Sequence, residues 1–197
     1  MLFVVRHGRA GFPTPGAWVG RLDPPLSDEG AKEMEALLPF AGTLEAGKVY
    51  TSPLRRAEES ARILADGLGL PLERAEGLLE MDLGAFSGHT PEEIATLHPA
   101  AWEAYLHDTV GTVPPGGEAF TEMAERVIAF GMAVESEGEA ILVTHTGPLL
   151  ALACHALGIP FSTRVRLHPA PASVTKLALA SRRLFFFGHA PRLRDPS

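Results

Sequence analysis

Cysteine and lysine are scarce in this chain and asparagine is absent: among 197 residues there are one Cys (Cys154), 3 Lys against 14 Arg, and no Asn. A lone thiol excludes an intramolecular disulfide framework and fits a reducing compartment. The chain also has no long hydrophobic opening, since Leu2 to Val5 is far short of a signal-peptide core. Ala140 to Thr163 carries no Asp, Glu, Lys or Arg, which is enough length for a membrane span. Thr144-His145-Thr146-Gly147-Pro148 interrupts it, so strand, turn and buried helix is the better reading. A net charge of −7 gives no general attraction for nucleic acid or an anionic membrane. The eight histidines show no metal-binding spacing such as His-Glu-x-x-His. The expectation is a soluble cytoplasmic protein with no metal or cofactor and no nucleic-acid or membrane partner.

The chain does hold a well-proportioned core. Its 46% hydrophobic and 21% charged residues are those of a globular domain, and the length fits one domain spanning residues 1–197. Leu2-Phe3-Val4-Val5 is apolar and rich in β-branched and aromatic side chains, as a central parallel strand is. It stops at Arg6-His7-Gly8. Strand carboxyl ends are where open α/β sheets bind ligands, and Gly8 lets the backbone turn away at once. The plainer alternative is a hydrogen-bonded end-of-strand histidine beside a surface arginine. Arg9 to Leu26 then holds four prolines and reads as a long loop on the same face.

Ser27 is expected to cap a helix with Asp28 and Glu29 in its first turn, Ala31, Met34, Leu37 and Leu38 forming the apolar stripe. Lys48 to Thr51 is a short strand leading into Ser52-Pro53, read as an N-cap with proline at the first helical position. Leu54, Ala57, Ala61, Leu64 and Leu68 set the buried face of that helix. Arg55 and Arg56 fall in its first turn, where cations are disfavoured unless an anion is bound there. For Arg55 an i,i+4 pair with Glu59 suffices; Arg56 has no such explanation. Pro91 to Tyr105 looks helical with a break at His98-Pro99, and Phe120 to Val134 gives a long amphipathic helix. Ala140 to Thr144 is a second apolar strand that ends on a histidine, His145. Val174 to Leu179 and Leu184 to Phe187 look like a closing strand pair. The alternation predicts a three-layer α/β/α sandwich with a mostly parallel central sheet.

Five motifs in order resemble the histidine phosphatase superfamily, its phosphoglycerate mutase-like branch, of the broad-specificity or alpha-ribazole phosphatase type. They are Arg6-His7-Gly8, Asp23-Pro24-Pro25-Leu26-Ser27 through Gly30, Ser52-Pro53-Leu54-Arg55-Arg56-Ala57, Glu80 within Leu79 to Gly88, and Thr144-His145-Thr146-Gly147. Gly117-Glu118 and Arg126 resemble the family's Gly-Glu and downstream arginine. The resemblance implies a phosphoglycerate mutase-like fold and catalysis by His7, Arg6, Arg56, Glu80 and His145. The residue chemistry agrees: a neutral imidazole attacks phosphorus, arginines hold phosphoryl oxygens bidentately, and a carboxyl protonates the leaving alkoxide and then activates water. His145 adds a donor, neutral or cationic.

Departures from the family touch the substrate. Its Arg-His-Gly is commonly followed by Glu-Thr and an asparagine; here Arg9-Ala10 follows and no asparagine exists. Gly8, Arg9, Arg21 and Thr146 are the candidate substrate-binding residues, Arg9 or Arg21 replacing the missing contact unless each is a solvated loop residue. Ala119 stands where a Ser usually follows Gly-Glu. Glu118 reads either as a substrate ligand or as a helix N-terminal acid, Trp18 as a cover or an anchor, and His89 and His168 as candidates to border the pocket. Met81 to Gly117 contains no Lys or Arg, which favours a hydrolase of a small phosphomonoester over a phosphoglycerate mutase-type phosphotransferase. A non-catalytic phospho-ligand binder is the third reading, disfavoured because no catalytic group is lost.

Overall fold

The computed structural model describes residues 1–12 and 14–190, so Pro13 of the long loop lies outside the described residues. Six strands form one sheet in the order β3-β2-β4-β1-β5-β6: β1 (Leu2–Arg6), β2 (Lys48–Thr51), β3 (Leu72–Arg74), β4 (Ala140–Thr144), β5 (Val174–Ala178) and β6 (Arg183–His189). β1, β2, β3 and β4 run parallel, while β5 pairs antiparallel with β1 and with β6. The sheet is therefore mostly parallel, as its sequence pattern predicts. Helices cover both faces, giving the three-layer α/β/α arrangement.

Burial on both faces explains the unbroken apolar runs of β1 and β4. Leu2, Val4 and Leu142 point into a core with Met123 and Val127 of α5 (Phe120–Glu137) and Leu149 and Leu152 of α6 (Thr146–Leu157). Phe3, Val5, Ile141 and Val143 point the other way, against Met34 and Leu37 of α1 (Asp28–Ala41) and Ala57, Ala61 and Leu64 of α2 (Arg55–Leu68). α1 begins as expected, Ser27 Oγ accepting from the Gly30 amide at 3.0 Å. α3 (Pro91–Leu97) and α4 (Pro99–His107) meet at the expected break, because Pro99 can start a helix but cannot donate to the preceding one. Among the described residues no helix is long and apolar enough to cross a membrane; the uncharged stretch is divided between β4 and α6.

The start of α2 corrects the sequence reading. The helix begins at Arg55 with Leu54 at its N-cap and no capping side chain from that residue, so Ser52 is not the cap and Pro53 is not its first residue. Ser52 is fully buried, and its Oγ lies 2.7 Å from His145 Nε2 and only 3.4 Å from the Leu54 amide. The first helical amide, Arg55 N, is instead accepted at 2.6 Å by Asp23 Oδ1 from the long loop. A remote carboxylate thus ties that loop to the helix that carries Arg56.

Candidate active site

Register brings the two histidines together. β1 and β4 pair with Arg6 opposite Thr144, so the next residues, His7 and His145, leave neighbouring strands at the same level. The His7 amide still bonds the Thr144 carbonyl at 3.0 Å. Their rings lie edge to face with centroids 5.1 Å apart. The backbone then turns sharply over the start of α1. A Cβ on Gly8 would overlap the Gly30 carbonyl, and one on Gly30 the Arg9 backbone, so only two glycines allow this crossing.

His7 has one nitrogen committed and one presented. Its Nδ1 lies 2.6 Å from the carbonyl of Gly8; that oxygen can only accept, so the proton sits on Nδ1 and Nε2 carries the lone pair. Arg56 Nε donates to Nε2 at 3.2 Å. Burial first, then the charge of Arg56, drives the His7 pKa down to about 3, so the imidazole is neutral at pH 7. The guanidinium of Arg56 is held by the Leu22 carbonyl at 2.7 Å and the Gly20 carbonyl at 2.8 Å. Its place inside the site, against the exposed Arg55–Glu59 pair at 3.3 Å, separates the two adjacent arginines as their contexts suggest.

Arg6 donates through Nη1 to the Pro169 carbonyl at 2.7 Å, while its buried Nε has no protein partner. His145 is completely buried, and burial together with the charges of neighbouring groups holds its pKa far below the ordinary range. Of the two readings of this ring, the structure supports the neutral one. With Ser52 on its Nε2, Nδ1 is left buried without a partner. Orphaned buried polar atoms are rare, and these two belong to the residue that precedes His7 and to the histidine whose ring packs on it.

Glu80 faces this group from the loop after a 3₁₀ turn, Glu76–Leu78. Its Oε1 accepts from the Met81 amide at 2.9 Å and Oε2 from the Gly147 amide, in the first turn of α6, at 3.3 Å. Those bonds and the two guanidiniums favour the carboxylate, yet burial outweighs them and pushes the pKa up. A carboxyl whose pKa is raised is better suited to general-acid work than an ordinary surface carboxylate.

The Glu80 segment is gripped by residues whose sequence assignments were different. Arg21 is not among the residues lining the cavity: it donates to the Glu80 carbonyl at 3.1 Å and to Glu118 Oε1 at 2.8 Å, and lies 3.6 Å from Asp82. Glu118 neither lines the cavity nor acts as a simple helix-terminal acid; its Oε1 also accepts from Arg126 and from the Asp82 amide, both at 2.9 Å. Arg126 reaches the carbonyls of Glu76 and Leu79. This network clamps the backbone on both sides of Glu80. Arg9 lies at the cavity mouth but is ion-paired to Glu33 at 2.8 Å and Glu29 at 3.3 Å. Gly8 and Thr146 line the cavity, whereas His89 and His168 do not.

The cavity over His7 measures about 590 Å³, within the usual range for a small molecule. Arg6, His7, Arg56 and Glu80 form its polar end, and Phe12, Trp18, Leu83, Tyr105, Phe120 and Leu150 are among its walls. Trp18 both covers and anchors: it lines the cavity and packs edge-on against Trp102 and Tyr105 at 5.4 and 5.6 Å. A buried arginine that sequence reasoning passed over, Arg164, lies in the same wall. Among the described residues no three His, Cys, Asp or Glu side chains form a metal-ligand cluster; the cations at the site are guanidiniums.

Comparison with known proteins places this geometry. A phosphoserine phosphatase of Hydrogenobacter thermophilus is 28% identical over 164 residues, 82% of this chain and 78% of its own length. A glucosyl-3-phosphoglycerate phosphatase of Mycolicibacterium vanbaalenii is 30% identical over 169 residues, 81% of this chain and 75% of its own. The solved structure of a mycobacterial glucosyl-3-phosphoglycerate phosphatase with VO3 superposes with a TM-score of 0.83 at 28% identity, covering 96% of this chain and 98% of the other. The model of the histidine phosphatase superfamily, branch 1, matches residues 2–187. The chain belongs to the histidine phosphatase superfamily.

Proposed function

We propose that the chain hydrolyses a small phosphomonoester, without a metal, through a phosphohistidine formed on His7 Nε2. The observation that carries this reading is the pairing of a neutral, correctly tautomerised His7 with a buried carboxyl, Glu80, whose pKa is raised. In the first step the Nε2 lone pair attacks phosphorus and the bond to the substrate oxygen breaks. Glu80 gives its proton to that oxygen, and the alcohol leaves. Arg56 turns its Nε–H from His7 to a phosphoryl oxygen. Arg6 Nε and His145 Nδ1 supply two further donors, provided Ser52 gives its hydroxyl proton to His145 Nε2. In the second step water attacks phosphorus, Glu80 takes its proton, and the P–N bond breaks to release phosphate and neutral His7.

Donors fixed before the reaction stabilise the charge on the equatorial oxygens without reorganising, and in phosphoryl transfer most of the rate enhancement comes from such positioning and charge stabilisation. The apolar walls and the absence of Lys and Arg between Met81 and Gly117 support hydrolysis over mutase chemistry, as do the relatives named for phosphatase activity. A cytoplasmic setting suits the single free, buried cysteine. Assaying alkyl and aryl phosphates in EDTA tests the reading: metal-free phosphate release supports it, and activity only with added metal refutes it.

A further inference from the structure

Four arginines line the cavity, and among the described residues only Arg9 of them has a carboxylate partner within ion-pair distance. Arg6 and Arg56 are accounted for by the phosphoryl group. Arg164 is not. It comes from a 3₁₀ turn, Phe161–Arg166, and is 7% exposed. Its guanidinium carbon sits 3.9 Å from the centre of the Phe120 ring; Nη1 donates to the Phe161 carbonyl at 3.2 Å and Nη2 to the Thr109 carbonyl at 2.5 Å. These contacts fix its orientation and leave its charge unneutralised. Asp108, the one carboxylate that acts on it electrostatically among the described residues, is outside ion-pair distance, and its Oδ1 accepts from the amides of Val110 and Gly111. The Tyr105 hydroxyl lies beside Arg164, and burial raises its pKa, so it is a neutral phenol and no counter-ion.

Burying a cation without a counter-charge is costly unless something supplies one. Tyr105 and Arg164 line the same cavity as Glu80, so a leaving group that takes its proton from Glu80 shares that cavity with the buried guanidinium. We propose that Arg164 selects the leaving group: the substrate is a phosphomonoester whose alcohol portion carries a carboxylate, seated on Arg164, with its carbon skeleton against Trp18, Phe120 and Leu150. This rests on the hydrolase reading above. A monoanion is favoured over a second phosphate because one guanidinium neutralises one charge, and the surrounding walls are apolar.

The test is a ratio. Wild type, R164K and R164M are assayed at pH 7 on 3-carboxyphenyl phosphate and on its neutral isostere, 3-carbamoylphenyl phosphate. Intrinsic leaving-group differences, and any common effect of the substitution on rate, cancel when the kcat/KM ratios are compared between enzymes. The carboxylate-to-amide ratio is expected to fall about 10- to 100-fold in R164M, the scale of one hydrogen bond to a charged group, with R164K between. A ratio unchanged within about twofold overturns the proposal, as does a preference of the wild type for 1,3-phenylene bisphosphate over the carboxylate substrate. If R164M does not fold, product inhibition of the wild type decides: 3-hydroxybenzoate is expected to bind at least about tenfold more tightly than 3-hydroxybenzamide, and equal inhibition refutes the assignment. If no phosphomonoester is hydrolysed, the hydrolase reading fails by itself. Calorimetric binding of 3-hydroxybenzoate, stronger than that of the amide, then still supports the subsite, and its absence refutes it.

Discussion

Gly147→Ala isolates the position of the acid from the stability of the fold. Gly147 is the second residue of α6, among the described glycines without a left-handed φ, so alanine suits its backbone and gains about 0.5–1 kcal/mol of helix preference. The added Cβ, however, would be driven into Glu80 Oε1, with Glu80 Cδ at 3.4 Å and Met123 Cε at 3.3 Å. The methionine end can give way. The carboxyl must retreat by about 1 Å and leave the Gly147 and Met81 amides, and a misplacement of that size can cost about 100-fold in rate. We expect kcat on an alkyl phosphate to fall about 100-fold while stability by urea melt changes by less than about 1 kcal/mol. On 4-nitrophenyl phosphate, whose leaving group needs no proton, the loss should be much smaller when phosphorylation of His7 limits the rate, which burst kinetics establish. The double variant Gly147→Ala, Glu80→Gln should be little slower than Glu80→Gln alone, since both remove one function. Wild-type turnover of the alkyl phosphate by Gly147→Ala, or a loss that multiplies with that of Glu80→Gln, would refute this placement of the acid.

Other outcomes follow from the same geometry. Arg56→Ala should lose about 10²–10³ in kcat, the scale of one preorganised donor, whereas Arg55→Ala should change it less than about threefold, because an exposed i,i+4 pair contributes little; steady-state kinetics of the two variants settle the register. Ala119→Ser gives α5 the side-chain acceptor it lacks (Glu122 already returns to the Ala119 amide at 2.8 Å) and should stabilise by about 1 kcal/mol, read as a melting increase of about 2–4 °C. The His7 pKa is about 3 when folded against 6.5 unfolded, so the unfolded chain binds the extra proton between those values. His7 therefore contributes stability that is complete above pH 6.5 and lost as pH falls towards 3. By pH 4.5 the loss is about 3 kcal/mol, and His7→Asn should remove that part of the pH dependence in urea melts. Mutase turnover of 2- and 3-phosphoglycerate should be slower than phosphate release, and coupled assays reversing that order would contradict the hydrolase reading.

The strand ends were legible because β1 and β4 are buried on both faces: one apolar run that stops on Arg6-His7 leaves the plainer end-of-strand reading open, and a second that stops on His145 argues against it. Arg56 was distinguishable from Arg55 because only one of them sits an i,i+4 step before a glutamate. What pattern could not reveal were contacts that cross the chain. Asp23 capping α2, Ser52 turning from the helix to His145, and the Arg21–Glu118–Arg126 clamp around Glu80 each join segments about 30 or more residues apart in at least one of their bonds. Local spacing gives no sign of such partners, so Arg21 reads as a substrate ligand or a solvated loop residue and Glu118 as a substrate ligand or a helix N-terminal acid, and neither reading includes the clamp. Arg164 escaped notice for the opposite reason: the stretch that bears on substrate charge in the sequence is Met81 to Gly117, whereas the cavity takes its extra cation from a 3₁₀ turn beyond α6.

In the proposed mechanism the phosphoryl group passes through one atom, His7 Nε2. Rapid acid-free quenching of the enzyme during turnover of a ³²P-labelled phosphomonoester in EDTA should trap an acid-labile, base-stable label on His7. Mapping of the phosphopeptide should place it on Nε2, because Nδ1 is engaged by the Gly8 carbonyl at 2.6 Å. Label on Nδ1, on His145 or on any carboxylate, or turnover with no label on His7 under conditions where dephosphorylation is rate-limiting, would contradict the mechanism.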